Sequence, residues 1–357
     1  MIQIIYRTIL LVAVWISFCV TATAQELIPI SEYPGIETLG ERKVPAPVGV
    51  SPEMLKIVLS RQIPPFVPAP TSEEDWLKLQ EIFDAPGSEL GRASAQRLGV
   101  TYEVKEIAGV RCYVVTPKEI SDRFAGVFFV HIHGGAFVFG GGDSALREAV
   151  WAAAGLKVRV ISIDYRRPPL HPFPAAVDDT VAVWRALIKD QNPAATALFG
   201  TSAGGNIVLA STLKLKQLGL PLPGALFAGT PATDLANKTD TWYTLEGLDP
   251  LGSREGLIQG AMDLYAGETD ISDPLVSPVN ADVTGFPPTI LFSGTRDLLL
   301  SDTVRMHRSL RAAGVPADLH IYDAQTHGDY IQGLTQFLPE SNDALRELHD
   351  FFDEHLE

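Results

Sequence analysis

The sequence predicts an α/β chain: a mostly parallel central sheet flanked by helices. Three observations predict it. From about residue 100, short β-rich runs alternate with helical patterns, the order that gives parallel strands joined by right-handed crossovers. Several of those runs are nearly continuous apolar stretches, as strands covered on both faces require. Hydrophobic residues fill 46% of the 357 positions, enough to bury a sizeable core without disulfide or metal staples. The length suits one large domain with additions, or two small domains.

The β-rich runs are Tyr102–Ile107, Val110–Thr116, Gly126–Ile132, Lys157–Asp164, Thr196–Phe199, Gly224–Ala228, Thr289–Ser293 and Asp318–Tyr322. A short turn separates the first two, so the N-terminal edge is expected to be antiparallel. Helices are predicted over Ser144–Ala154, Ala175–Ile188, Gly205–Leu218, Asp302–Ala313 and Asn342–His355. Gly155, Gly219 and Gly314 stand where three of them should stop.

Two further segments do not follow this rhythm. Residues 25–70 are proline-rich. Within them Ser51-Pro52-Glu53 predicts a helix to about Arg61, with Ser51 as N-cap and Pro52 at its first position. A second helix is predicted from Thr71 or Ser72 to about Phe83, with acidic residues at 73–75 in its first turn. Residues 25–99 thus read as a helical arm or cap, ahead of a catalytic domain at 100–357. Residues 235–282 lack a clear strand and are long for a connection, which marks a cap insertion. Ser253 to Tyr265 is predicted as one of its helices, although Gly256 and Gly260 weaken the pattern.

The first 24 residues differ from the rest. Their one charge, Arg7, precedes an apolar run from Ile9 to Val20, then Ala22-Thr23-Ala24 before Gln25. That is the pattern of a cleavable secretory signal. The run is short for a bilayer span of about 20 residues. Cleavage after Ala24 is expected, leaving no stable membrane anchor and a periplasmic or secreted protein. Cys19 follows Phe18, where a lipoprotein anchor needs a small residue. Cys112 is then the only cysteine, so no intramolecular disulfide is expected, and its strand position makes it a packing residue. The net charge of −15, without a basic cluster, argues against nucleic acid or anionic membrane as partner.

Chemistry concentrates in a few loops. Gly200-Thr201-Ser202-Ala203-Gly204 follows an apolar run and opens a helical pattern. A five-residue match arises by chance, but strand–turn–helix is the context a nucleophile elbow needs. Ser202 would be held in a tight, strained turn with a helix N-terminus behind it to stabilise negative charge. Upstream, His133-Gly134-Gly135-Ala136 follows a strand. Alone it reads equally as a plain glycine turn or as a loop that aims N–H donors at an oxyanion. The serine downstream favours the second reading.

A serine nucleophile needs a base. Of eight histidines, His327 alone combines a position after the last β-run with a following glycine. His131 and His320 lie on strands, His171 in a proline-rich loop, and His307, His349 and His355 on helical patterns. Asp297, just after the run Thr289–Ser293, is the candidate to orient the base. It also suits a helix cap or a partner for Arg296. The order Ser202, Asp297, His327 is that of an acyl-transfer triad on an open α/β sheet.

Together these motifs resemble the bacterial hormone-sensitive lipase family of α/β-hydrolase carboxylesterases. The resemblance covers roughly residues 100–335. It rests on His131-Ile132-His133-Gly134-Gly135-Ala136, Asp164-Tyr165-Arg166, His171-Pro172-Phe173-Pro174-Ala175-Ala176, Gly200-Thr201-Ser202-Ala203-Gly204-Gly205-Asn206, Asp273-Pro274-Leu275-Val276-Ser277-Pro278 and His327-Gly328. Threonine at 201 is similar to the GTSAGG subgroup. The resemblance implies an α/β-hydrolase fold with a helical cap, and short-to-medium-chain acyl esters as small-molecule substrates. It implies an oxyanion hole from the N–H groups of Gly134, Gly135 and Ala203, and the subgroup implies a homodimer. The sequence departs from the family pattern in four places. Ala136 replaces a third glycine, Leu170 stands where glutamate is usual, Asp329 stands where an aromatic is usual, and a secretory signal is present. A carboxylate at 329 is expected to raise the pKa of the base.

The function expected is a carboxylesterase working through an acyl-enzyme. Lactone, carbonate or amide hydrolysis on the same triad is the alternative, as is a ligand-binding protein on a hydrolase scaffold. The presence of serine, aspartate and histidine in order argues against the last. No metal is expected, because His131 and His133 lack a nearby third ligand. No cofactor is expected either, because the Gly140–Gly142 run lacks a phosphate-loop lysine.

Overall fold

Strands form where the apolar runs lie. They are β1 (Thr101–Ile107), β2 (Val110–Thr116), β3 (Phe128–Ile132), β4 (Arg159–Ile163), β5 (Ala197–Thr201), β6 (Ala225–Gly229), β7 (Thr289–Gly294) and β8 (Ala317–Tyr322). The computed structural model describes residues 41–332 and 338–357, and residues 46–357 form one compact unit. The secretory segment 1–24, with its cleavage point after Ala24, lies outside the described residues.

The strands join into one sheet in the order β1-β2-β4-β3-β5-β6-β7-β8. Ala108 and Gly109, both at positive φ, turn β1 into β2 as an antiparallel hairpin. β2 pairs antiparallel with β4, and every later pairing is parallel. The antiparallel edge and parallel centre are those expected. β5, β6 and β7 are buried along their whole length, which explains their uninterrupted apolar sequences.

Helices cover both faces. One face carries α4 (Ala175–Leu187), α5 (Ala203–Gln217) and α8 (Leu300–Ala312), with Trp184, Ile207 and Met306 in its core. The other carries α3 (Leu146–Leu156) and α9 (Pro339–His355), with Trp151, Phe129 and Phe352 in its core. Gly155 does not stop α3. It lies inside the helix against Leu345 of α9, and the chain turns one residue past the helix end, at Lys157 with φ 54°. Helix packing, not a helix stop, is what requires glycine at 155.

Two helices precede the sheet. α1 (Pro52–Ser60) starts where Ser51 Oγ accepts the Met54 N–H at 3.0 Å. α2 (Glu73–Leu98) starts at Ser72, whose hydroxyl oxygen accepts the Asp75 N–H. α2 is much longer than the predicted stop at Phe83. It runs through Pro86 to Gly99, whose φ of 65° ends it. Gly87 and Gly91 on this extension lie directly against residues 143–147. Gly87 and Gly91 thus form the face by which α2 packs on the segment that opens α3.

The insertion at 235–282 holds two short helices, α6 (Asp240–Thr244) and α7 (Gln259–Ala266). The predicted single helix from Ser253 to Tyr265 is not continuous. Glu255 is extended and Gly256 sits at φ 74°, so only the part after Gln259 is regular. The buried Arg254 guanidinium holds this turn, donating to the carbonyl oxygens of Leu235 and Asn237.

Candidate active site

The C-terminal ends of β3, β5, β7 and β8 carry the loops of interest. Ser202 links β5 to α5 with φ 64° and ψ −123°. A side chain in that region stores strain of about 1–3 kcal/mol. Backbone hydrogen bonds on both sides hold it: the Ser202 N–H donates to the Gly229 carbonyl at 2.8 Å, and its own carbonyl accepts the Asn206 N–H at 3.1 Å. The N-terminus of α5 begins at the next residue, so its dipole favours negative charge there.

The loop after β3 presses on this turn. A Cβ placed on Gly134 would lie 2.7 Å from the Thr201 carbonyl oxygen and 3.3 Å from Ser202 Cβ. Only glycine permits that approach. Among the described residues, no carbonyl accepts the N–H groups of Gly134, Gly135 or Ala203. Three donors thus stand uncommitted beside the serine. His133 is fixed under them. Its ring stacks on Tyr165 at 4.1 Å, and its Nδ1–H donates to the Gly134 carbonyl at 2.8 Å. Burial, then the Arg167 charge, holds it well below the ordinary imidazole pKa, so it stays neutral and serves the loop's shape.

Asp297 follows β7 and is fully buried. Ser293 Oγ–H donates to its Oδ2 at 2.7 Å, the Leu299 N–H to its Oδ1 at 2.9 Å, and the Thr230 hydroxyl also to Oδ2. His327 follows β8. Its Nδ1–H points at Asp297 Oδ1 (3.2 Å) and at Thr230 Oγ1 (3.0 Å), which leaves Nε2 as the free basic nitrogen. Burial alone would lower the imidazole pKa. The hydrogen bond to Asp297 and the charges of Asp297, Asp249 and Asp329 outweigh burial and raise it. Burial pushes Asp297 upward, but the His327 charge and the bonds from His327, Thr230 and Ser293 prevail and hold it below the usual carboxylate range. A Cβ on Gly328 would lie 3.7 Å from the Thr201 methyl, so the His327 loop borders the Ser202 turn.

α2 and α7 pack on the loop that follows Gly134. Phe137 stacks on Tyr265 of α7 at 4.0 Å, and Phe139 stacks on Phe83 of α2 at 4.7 Å. Gln80 of α2 donates to the Val138 carbonyl at 2.8 Å, and Asp84 accepts the Gly140 N–H at 2.6 Å.

Comparison with known proteins agrees with the fold. The α/β-hydrolase-fold family matches residues 129–331. This chain belongs to the bacterial hormone-sensitive lipase family of α/β hydrolases. It is similar to an esterase of Acinetobacter venetianus, 29% identical over 69% of this chain and 81% of the relative. An acetyl-hydrolase of Streptomyces hygroscopicus is 34% identical over 57% of this chain and 69% of its own length. The crystal structure of an esterase superposes with a TM-score of 0.86 at 42% identity, covering 90% of this chain and 99% of that one. Another, of an esterase from the bacterial hormone-sensitive lipase family, gives 0.72 at 27% identity, covering 87% and 100%.

Within this hydrolase the other motifs act as braces. Tyr165 OH donates to the His133 carbonyl at 3.0 Å. Asn206 Nδ2 donates to the carbonyls of Ala232 (2.6 Å) and Val276 (2.9 Å), tying α5 to the Asp273–Pro278 segment. Leu170 is 56% exposed. Asp329 is paired with Arg61, just past α1, and accepts the Thr326 hydroxyl at 2.9 Å. Its charge therefore reaches His327 already opposed by a cation. Cys112 is buried and free, and burial, then Asp164 and Asp179, push its thiol up to about 12, consistent with packing.

Four residues at the site were not read from the sequence: Gln80, Asp84, Thr230 and Asp249. Each reaches it by a tertiary contact between residues far apart in the sequence. Thr230 alone carried a signal, because it directly follows a buried strand at its C-terminal end.

Proposed function

We propose that this hydrolase is a carboxylesterase that cleaves short-to-medium-chain acyl esters through Ser202, His327 and Asp297. One observation carries the reading: a strained serine at a helix N-terminus lies against the Gly134 loop, and the turn that holds it borders the loop of a histidine bound through Nδ1 to a buried carboxylate. In this mechanism His327 Nε2 takes the Ser202 hydroxyl proton as Oγ bonds to the ester carbonyl carbon. The N–H groups of Gly134, Gly135 and Ala203 receive the oxyanion. Collapse expels the alcohol, which takes the proton from His327, and water then releases the acid by the same steps. Asp297 holds the tautomer and steadies the imidazolium. The base must be neutral, and its pKa is raised, so activity falls with decreasing pH from above the ordinary imidazole range.

The direct experiment is a p-nitrophenyl ester series with Ser202→Ala as control. Turnover of the butyrate should fall by about 10⁴-fold or more, and short chains should be preferred. Near-wild-type turnover by Ser202→Ala would sink the assignment, and a preference for long chains would sink the substrate class. Thr201 supports placement in the GTSAGG subgroup and, through it, a homodimer, which light scattering would check. The first 24 residues support export, and an exported chain whose mass does not begin at Gln25 would contradict cleavage after Ala24.

A further inference from the structure

Asp249 lies in the insertion between α6 and α7 and is fully buried. Its Oδ2 accepts two backbone N–H groups, from Leu298 at 3.0 Å and from His327 at 3.2 Å. Its Oδ1 accepts the Leu251 N–H at 2.8 Å. Leu298 follows the acid of the triad, and His327 is its base. One carboxylate oxygen of the cap therefore bridges the two loops whose separation sets the Asp297–His327 bond.

We propose that Asp249 is a positioning residue for the catalytic base, through which the cap segment fixes His327 and adds a second negative charge beside its ring. This rests on the reading of His327 as the base. The clamp acts on main chain, so it sets where the ring begins rather than how it rotates. The carboxylate is retained against an energetic penalty. Burial, and then the Asp297 charge, push Asp249 up to about 6, opposed by His327 and the donated N–H groups. A neutral amide would relieve that penalty but would lose the field on the imidazolium. The charged groups facing the ring come from every element around it: Asp297 after β7, Asp249 from the insertion, and Asp329 from the base loop with Arg61 paired to it.

The test is Asp249→Asn in the full chain. Rates with p-nitrophenyl butyrate are measured from pH 5 to 9 and normalised to active sites counted with a fluorophosphonate. Asparagine keeps the shape and one acceptor but not the charge. The turnover number should fall about 10–100-fold, with KM changed less than about twofold. The acid limb should move to lower pH, because the imidazolium loses an anionic neighbour. A residue that only supports the fold would lower the count of active sites and leave the limb in place, and that result overturns the proposal. A second variant, Asp249→Ala, should regain turnover when formate is added, and absence of rescue counts against the proposal. Loss of turnover in His327→Ala with an unmoved limb in Asp249→Asn overturns this proposal alone. Retained turnover in His327→Ala overturns the base assignment with it.

Discussion

Thr201 occupies the position beside the nucleophile, and its hydroxyl is the hub of a buried polar chain. It donates to Glu148 Oε1 at 2.6 Å and accepts from Tyr330 OH at 2.7 Å. Glu148 Oε2 in turn accepts from His131 Nε2 at 3.1 Å, and His131 Nδ1 accepts from Ser162 Oγ at 2.8 Å. Burial, then the Glu148 charge, keep the Tyr330 phenol well above its ordinary pKa, so it remains a donor. Tyr330 stands three residues after His327, and the chain therefore links the nucleophile turn to the base loop from below. Thr201→Val keeps the shape and strands both partners. A buried polar group left unpaired costs about 1–3 kcal/mol, so urea unfolding should report a loss of about 2 kcal/mol or more. An unchanged midpoint would show that the hydroxyl carries no structural weight. Ser202, Asp297 and His327 could be read from the sequence because each follows a strand and a motif or chain order marks it. Asp249 could not, because a hydrogen bond across 78 positions leaves no local trace, and Thr230 offered only its place after a buried strand.

At the scale of elements, the segments ahead of the sheet hold the site from outside. Ser51 at the start of α1 donates to Glu340 of α9 through both its N–H (2.7 Å) and its hydroxyl (2.9 Å). Arg61, just past its end, pairs with Asp329 and donates to the Ala324 carbonyl at 3.2 Å. The side chains of this ion pair are 9% and 7% exposed, and removing one partner of a buried pair typically costs about 3–5 kcal/mol. Arg61→Ala should therefore destabilise the protein by about 3 kcal/mol in urea unfolding. It should also move the acid limb of the pH profile upward, since an unopposed Asp329 favours the imidazolium. That direction is opposite to the one expected for Asp249→Asn, and movement of both limbs the same way would contradict the electrostatic picture. The caps of α1 and α2 were legible, because Ser51 and Ser72 are local signals. The length of α2 was not, because a Pro-Gly pair has the same sequence whether it ends a helix or presents its smallest face to a neighbour. Gly256 sits at the break in the insertion where its pattern was weakest.

Across the whole molecule, the sheet brings distant loops to one edge. β3, β5 and β7 run parallel, and β8 extends the same set. The turns after them therefore open on the same side, where such sites assemble. Each face has its own core. The one beneath Tyr330 is aromatic: Tyr330 makes edge contacts with Phe227 and Phe292, which lie tilted against each other. Strand positions were legible from apolar runs of the right length. Strand order was not, because parallel pairing depends on crossovers that leave no mark in any one strand. The packing of α2 and α7 on Phe139 and Phe137 was equally hidden, since it depends on surfaces that meet only after folding. The account as a whole stands on one serine made reactive by its surroundings. The most direct test is to treat the full chain with a fluorophosphonate, weigh it and locate the adduct. One adduct per chain on Ser202 is predicted, with ester hydrolysis lost in proportion to labelling. An adduct elsewhere, or turnover that survives complete labelling of Ser202, would contradict it.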